Sequence, residues 1–313
     1  MPLSRSAQAD LIMVLVTLCA ALGWIFSREA VTDMPALMFM SIRFFTASLL
    51  LALVGWRQLR RMSAGQFSRS LGVGAVFGIG MTLWVLGLRS GTPLAEGAFI
   101  ASLSVVMVPV IARTVFRETV PTSTWVAIPV AITGLAFLAF ANGVRLSGGQ
   151  LYYLASAACF AVFFNLNTRA ASQDSRPRRD GRAGAARVPV IGLTAIALAM
   201  VGVCTTLLSV LYGERWQPTL DTMSLALFGW IVASVVIATA ARFLLQTVSQ
   251  SMAAQSNGAV ILILEPLWVT LFAAYWFSEY LNGAQILGCS LIFASLLINR
   301  WQLIRRVLKQ HLG

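Results

Sequence analysis

The sequence predicts an all-α integral membrane protein with ten transmembrane helices arranged as two inverted five-helix repeats. Three observations carry this expectation. Of 313 residues, 58% are hydrophobic and only 11% charged, against about 25% charged residues in a soluble domain. Ten apolar stretches of roughly 20 residues, the length that crosses a bilayer, follow one another through connections that are short with one exception. Two segments 161 residues apart also align without a gap.

The expected spans are 10–31, 35–56, 70–89, 93–116, 122–142, 150–170, 188–212, 222–246, 252–277 and 282–301. The first, with Arg5 ahead of an apolar stretch from Leu11 to Phe26, is shaped like a signal peptide. It lacks a small-residue cleavage site and nine further spans follow, so it reads as a retained helix. In the third, Gly74 and Gly78 form a small-xxx-small face for close helix packing. The glycines of GVGAVFGIG do not have nucleotide-loop spacing. Glu96 follows Thr92-Pro93, a cap and a first-turn proline, and as an acid it complements the helix dipole there. Asn165 and Asn167 in the sixth span are expected to bond neighbouring helices. The long connection Ala171–Arg187, ASQDSRPRRDGRAGAAR, is polar and arginine-rich and reads as a solvated loop. The repeats are placed at 10–142 and 150–301, with the basic loop 171–187 inside the second.

The net charge of +12 comes from 22 arginines and one lysine. With a cytoplasmic N-terminus, 17 of these 23 cations fall on the inner side or at inner helix ends. The positive-inside rule then puts both termini and the long loop in the cytoplasm. The charge is thus topological, and nucleic acid is not an expected partner. Trp56, Trp125, Trp216, Trp276 and Trp301 lie near expected helix ends, as an interfacial belt would. Trp24, Trp84 and Trp268 lie deeper, as core packing or as walls of a substrate cavity.

Chemistry of other kinds finds little support. Cys19, Cys159, Cys204 and Cys289 sit singly in apolar runs without CxxC spacing, and the only histidine is His311. No metal site or cofactor is expected. An intramembrane enzyme would need a nucleophile with a base or a metal, and neither a Ser/His nor an HExxH arrangement exists. A channel would show rings of repeated charged or filter residues. A non-transporting scaffold is the remaining alternative.

The stretch LILEPLW, Leu262–Trp268, puts a carboxylate and a proline at membrane depth. Glu265 would cost a few kcal/mol facing lipid, so it is expected to face protein or water. Pro266 removes a backbone donor and is expected to leave the Leu262 carbonyl without its helical partner. Opened backbone at this depth is tolerated where it lines a cavity. The aligned segments are GAFIASLSVVMVPVIARTVFRE from Gly97 and GAVILILEPLWVTLFAAYWFSE from Gly258. Identities include Gly97/Gly258, Ala98/Ala259, Ile100/Ile261, Leu103/Leu264, Ala112/Ala273, Phe116/Phe277 and Glu118/Glu279. They belong to the fourth and ninth spans, and five helices per half forces the second copy to enter from the opposite side. Pro109 and Pro266 interrupt the two copies one turn out of register, a pairing that points to a binding site at the midplane.

These features resemble the EamA-like proteins of the drug/metabolite transporter superfamily. The likeness rests on the glutamate closing each copy (FRE and FSE), GWIFSREA in the first span and MPALMFMSIRFF opening the second. It covers roughly residues 10 to 302. It implies a ten-helix carrier of small metabolites in the bacterial inner membrane, often an exporter. The departures are GWIF, where a small polar residue usually follows Trp-Gly, and the missing Gly before each terminal Glu.

The expected function is secondary active export of a small polar metabolite, such as an amino acid or a related compound, by alternating access. Glu265, Arg43, Trp268, Trp24 and Trp84 are the candidates for substrate binding or coupling. Glu265 is either ionised and paired with Arg43 or cargo, or neutral and able to exchange a proton; a plain interhelical hydrogen bond is the alternative. Arg43 either binds an anionic group or pairs with Glu29 or another carboxylate. Arg28, Glu29 and Arg242 are read as near-interface residues. Glu118 and Glu279 are expected to end their helices and cap the next one. Partners are the metabolite and the lipid bilayer, with a homodimer left open.

Overall fold

The computed structural model describes residues 5–117, 122–141, 147–171, 187–221, 223–252, 261–262, 264–299 and 301. Glu118, most of the basic loop, His311 and the C-terminal cations lie outside these residues. The described chain is helical and contains no strand among the described residues. Its helices are α1 (Arg5–Asp33), α2 (Ala36–Val54), α3 (Trp56–Leu59), α4 (Ala64–Arg89), α5 (Leu94–Ser102), α6 (Ser104–Phe116) and α7 (Thr122–Ala141). After them come α8 (Gly148–Ala171), α9 (Val190–Leu211), α10 (Trp216–Asp221) and α11 (Leu225–Val235). A π-helical turn, Val236–Ala241, leads into α12 (Arg242–Met252), followed by α13 (Leu264–Phe277) and α14 (Gly283–Asn299).

Seven segments among the described residues are long and apolar enough to cross a bilayer: Leu11–Asp33, Ala36–Val54, Ala64–Arg89, Leu94–Phe116, Gly148–Ala171, Val190–Leu211 and Leu225–Met252. Trp125–Gly134 in α7 and Gly283–Ile298 in α14 are shorter apolar stretches. Exposed Leu, Val, Trp and Tyr side chains, such as Leu53, Val54, Leu211 and Tyr275, are what a lipid-facing surface requires.

Local signals set several boundaries. Ser63 and Gln66 close a reciprocal capping box, so α4 starts six residues before the expected 70. Ser147 with Gln150, and Asn282 with Gln285, make the same exchange ahead of α8 and α14. Proline precedes α2, α5 and α9, where its fixed φ suits helix entry. The interior packs α2 along α9, α4 against α8 and α9, α14 along α7, and α1 against α12 and α13. Gly74 and Gly78 allow the α4–α9 approach. A Cβ at Gly74 would lie 2.7 Å from Met200 Cβ, and one at Gly78 would lie 2.6 Å from Cys204 Sγ.

Three expectations need correction. The eighth span does not end at 246, because helix continues to Met252; within the expected ninth span a helix opens at Leu264. Pro266 therefore sits in a first helical turn, where its missing N–H costs nothing. The Leu262 carbonyl is not left unpartnered: it accepts the Glu265 N–H at 3.1 Å. The fourth span is broken at Leu103 and not at Pro109, which lies inside α6.

The two aligned segments share more than residues. α6 opens at Ser104 and α13 at Leu264, within one residue of equivalence at the 161-residue offset. They close at the equivalent Phe116 and Phe277. The next residues, Arg117 and Ser278, again equivalent, both take left-handed backbone, with φ of 56° and 52°. Glycine is the residue best suited to such a helix ending. Its absence here is therefore a tolerated strain and not a different backbone.

Candidate functional site

Both helix openings face one cavity of about 110 Å³, enough for several water molecules. Ser104 and Glu265 line it from the two openings; α1 adds Trp24, α2 adds Arg43, and α12 adds Arg242 and Gln246. Aromatic side chains from α4, α8 and α12 close the walls.

Glu265 accepts the Trp24 indole N–H at 3.1 Å. Its other oxygen lies 3.6 Å from Arg242 Nη2, a loose pair whose side chains keep 22% and 19% of their surface exposed. Trp24 meets Trp84 edge-on at 4.7 Å and Tyr153 at 5.5 Å. Three of the five predicted site residues, Glu265, Trp24 and Trp84, thus form one chain of contacts.

Arg43 also reaches the cavity, but through a different partnership from the expected one. It is 3% exposed. Its Nε donates to Thr239 Oγ1 at 2.5 Å, Nη1 to Ser27 Oγ at 2.7 Å and Nη2 to the Ala238 carbonyl at 3.2 Å. These acceptors are neutral, so of the two readings left open for Arg43 the pairing with Glu29 or another carboxylate is not seen among the described residues. Glu29 instead accepts the Trp276 indole N–H at 2.8 Å. The π-helical turn makes the Arg43 cradle: Thr239 Oγ1 bonds back to the Ser234 carbonyl five residues earlier while accepting from Arg43. Gly23 lets α1 approach this turn, since a Cβ there would lie 2.9 Å from Ala238 Cβ.

Trp268 packs beside the core without lining the cavity, and Pro109 and Pro266 do not line it either. Arg242, read from sequence as a near-interface residue, belongs to the site. Its Nε is buried with no hydrogen-bond partner among the described residues, and its guanidinium lies over the Phe243 ring at 4.5 Å.

Away from the cavity, the caps are longer-range than expected. Glu279 caps α5 and not the following helix: it accepts the Leu94 N–H at 2.9 Å and pairs with Arg28 at 3.2 Å. Glu96 is fully buried, and its two oxygens accept the side-chain amides of Gln150 and Gln285. Three helix N-termini, those of α5, α8 and α14, therefore share one carboxylate. Glu214, which sequence reading passed over, caps α2 through the Leu37 and Met38 N–H groups at 3.2 and 2.8 Å. Asn165 bonds the Val108 carbonyl and Asn167 bonds Gln250, so both tie helices together.

Comparison with known proteins gives the cavity a context. Among 28 matching solved chains, one crystal structure of a protein has a TM-score of 0.64 at 16% identity, covering 96% of this chain and 99% of that one. At that identity the likeness concerns fold alone. No curated protein matches this sequence. The model of the EamA-like transporter family matches residues 7–140 and 181–301. With several membrane-length helices and a family match over most of its length, this multi-pass membrane protein belongs to the EamA-like transporter family.

Proposed function

We propose that the chain is a secondary active carrier that exports a small polar metabolite, such as an amino acid or a related compound, by alternating access. In this reading ten helices form two inverted five-helix repeats, 10–142 and 150–301, in a bacterial inner membrane, with the basic loop 171–187 in the second. The observation that carries it is the meeting of two helix openings, at Ser104 and Leu264, on one cavity at positions within one residue of the repeat offset. Interrupted helices in corresponding halves are how many carriers build a midplane site. Glu265 is the ionisable group placed to exchange a proton as the cavity changes sides. Arg43 positions α1, α2 and the π-helical turn around it, and Trp24 and Trp84 form a wall.

Purified protein in liposomes is expected to show saturable counterflow of its cargo. Flux that rises linearly with concentration, or none for any metabolite in a cell extract, would remove the carrier reading. The topology has its own check. A Ser175→Cys variant should resist a membrane-impermeant thiol reagent added to intact cells, because the arginine bias holds the basic loop inside. Rapid labelling would sink the orientation, and the inverted arrangement with it.

A further inference from the structure

We propose that the cavity takes a net anion: an organic acid whose carboxylate docks on Arg242 and whose flat apolar body lies on the aromatic wall. The proposal rests on the carrier reading but departs from its amino-acid example, since the cargo is a net anion with an apolar body.

The charge count points this way. Among the described residues, the cavity lining carries two guanidiniums, Arg43 and Arg242, and one carboxylate, Glu265. Residues 253–260 and 263, outside the described set, include no charged residue in the sequence. Arg43 spends its donors on neutral acceptors, which satisfy hydrogen bonds without cancelling charge. It lies within electrostatic reach of Arg242. A buried, uncompensated cation is costly, and an anionic ligand removes that cost. A cationic ligand would instead bring an ammonium group to a lining that carries two guanidiniums against one carboxylate.

The docking point is also identifiable. Arg242 holds Glu265 only at 3.6 Å, longer than the 2.7–2.9 Å usual for a tight charge-assisted bond. Its buried Nε has no acceptor among the described residues. Arg242 nevertheless lines the cavity and keeps 19% of its side-chain surface exposed, so its outer nitrogens, and not the buried Nε, can meet a second carboxylate in the planar geometry that arginine favours. Phe243 stacks under that guanidinium, and Trp24 and Trp84 stand on the same cavity. A flat hydrocarbon body fits such walls better than a polar one.

A matched set of probes tests this in the full-length protein in nanodiscs, with binding read from tryptophan fluorescence. The probes are 3-phenylpropionate, phenylalanine and phenethylamine, which share a ring and differ in charge. We expect 3-phenylpropionate to bind roughly ten- to hundred-fold more tightly than phenethylamine, the worth of one charge-assisted contact, and phenylalanine, which keeps the carboxylate but adds an ammonium, to fall between them. Arg242→Gln should erase that preference, and Arg242→Lys should retain part of it. Equal binding of the three probes, or a preference for phenethylamine, overturns the proposal in the wild-type protein, whatever the variants do. So does an absence of binding by all three in protein that shows counterflow of another solute. If no solute shows counterflow, it is the carrier reading that fails. Inorganic anions offer the same charge without the body. Repeating the measurement with gluconate in place of chloride separates them: a site that binds chloride and ignores 3-phenylpropionate also overturns the proposal.

Discussion

Arg43→Lys is expected to lower transport at least about ten-fold at normal expression, and Arg43→Gln to lower it further. The reason is geometric. Three nitrogens of one planar group reach Ser27 on α1 and both Thr239 and Ala238 on the π-helical turn, while Arg43 itself stands on α2. A lysine ammonium presents its donors from a single point, so at least one of those acceptors loses its partner. Each buried group left unpaired costs about 1–3 kcal/mol, and the loss falls where three helical elements meet the cavity. Melting should shift downward along with transport, since the cradle holds elements together. Cysteine-free background, expression level and membrane insertion can all be matched between variants. Wild-type kinetics in Arg43→Gln would refute the role.

The cradle marks the limit of what sequence shows. Arg43 stood out because a charge eight residues into an apolar helix demands an explanation. Its partners did not. Val236–Ala241 contains neither proline nor glycine, and a π-helical turn built from VIATAA has the same composition as ordinary helix. Glu265 and Trp24 were legible as a carboxylate and an indole at depth, yet their hydrogen bond spans 241 residues and depends on how α1 meets α13. Arg242 was misplaced for a related reason. The hydropathy window ended the eighth span at 246, which put Arg242 near a membrane surface, whereas the helix runs to Met252 and carries it inward. Apolar length located most of the helices. The interruptions inside them, at Leu103 and ahead of Leu264, needed the chain to be seen folded. The repeat was visible in residues, and its strongest trace lies in the backbone: Arg117 and Ser278 adopt the same left-handed turn without being glycine.

Glu265→Gln should separate binding from coupling. Glutamine keeps a carbonyl oxygen to accept the Trp24 indole N–H, so the α1–α13 contact at 3.1 Å has a ready replacement. What it cannot do is carry charge or exchange a proton. The groups facing this position are Trp24 from α1, Arg43 from α2 and Arg242 from α12, none of which is a carboxylate. Ser104, the repeat equivalent, cannot take over the task. Losing the 3.6 Å pair with Arg242 should be tolerated by the fold, because both side chains are partly exposed and such pairs contribute little. Gradient-driven transport is therefore expected to fall by about ten-fold or more and its pH dependence to flatten, while the protein stays folded. Energetically neutral exchange should persist. Binding of 3-phenylpropionate should persist as well, because the variant frees Arg242 from its internal competitor. The sign of that last effect matters: a carboxylate that merely bridges helices would, on removal, loosen the cavity and weaken binding and exchange together. Parallel loss of all three activities would therefore reduce Glu265 to a structural bond. Unchanged driven rates and an unchanged pH profile would take it out of the mechanism altogether.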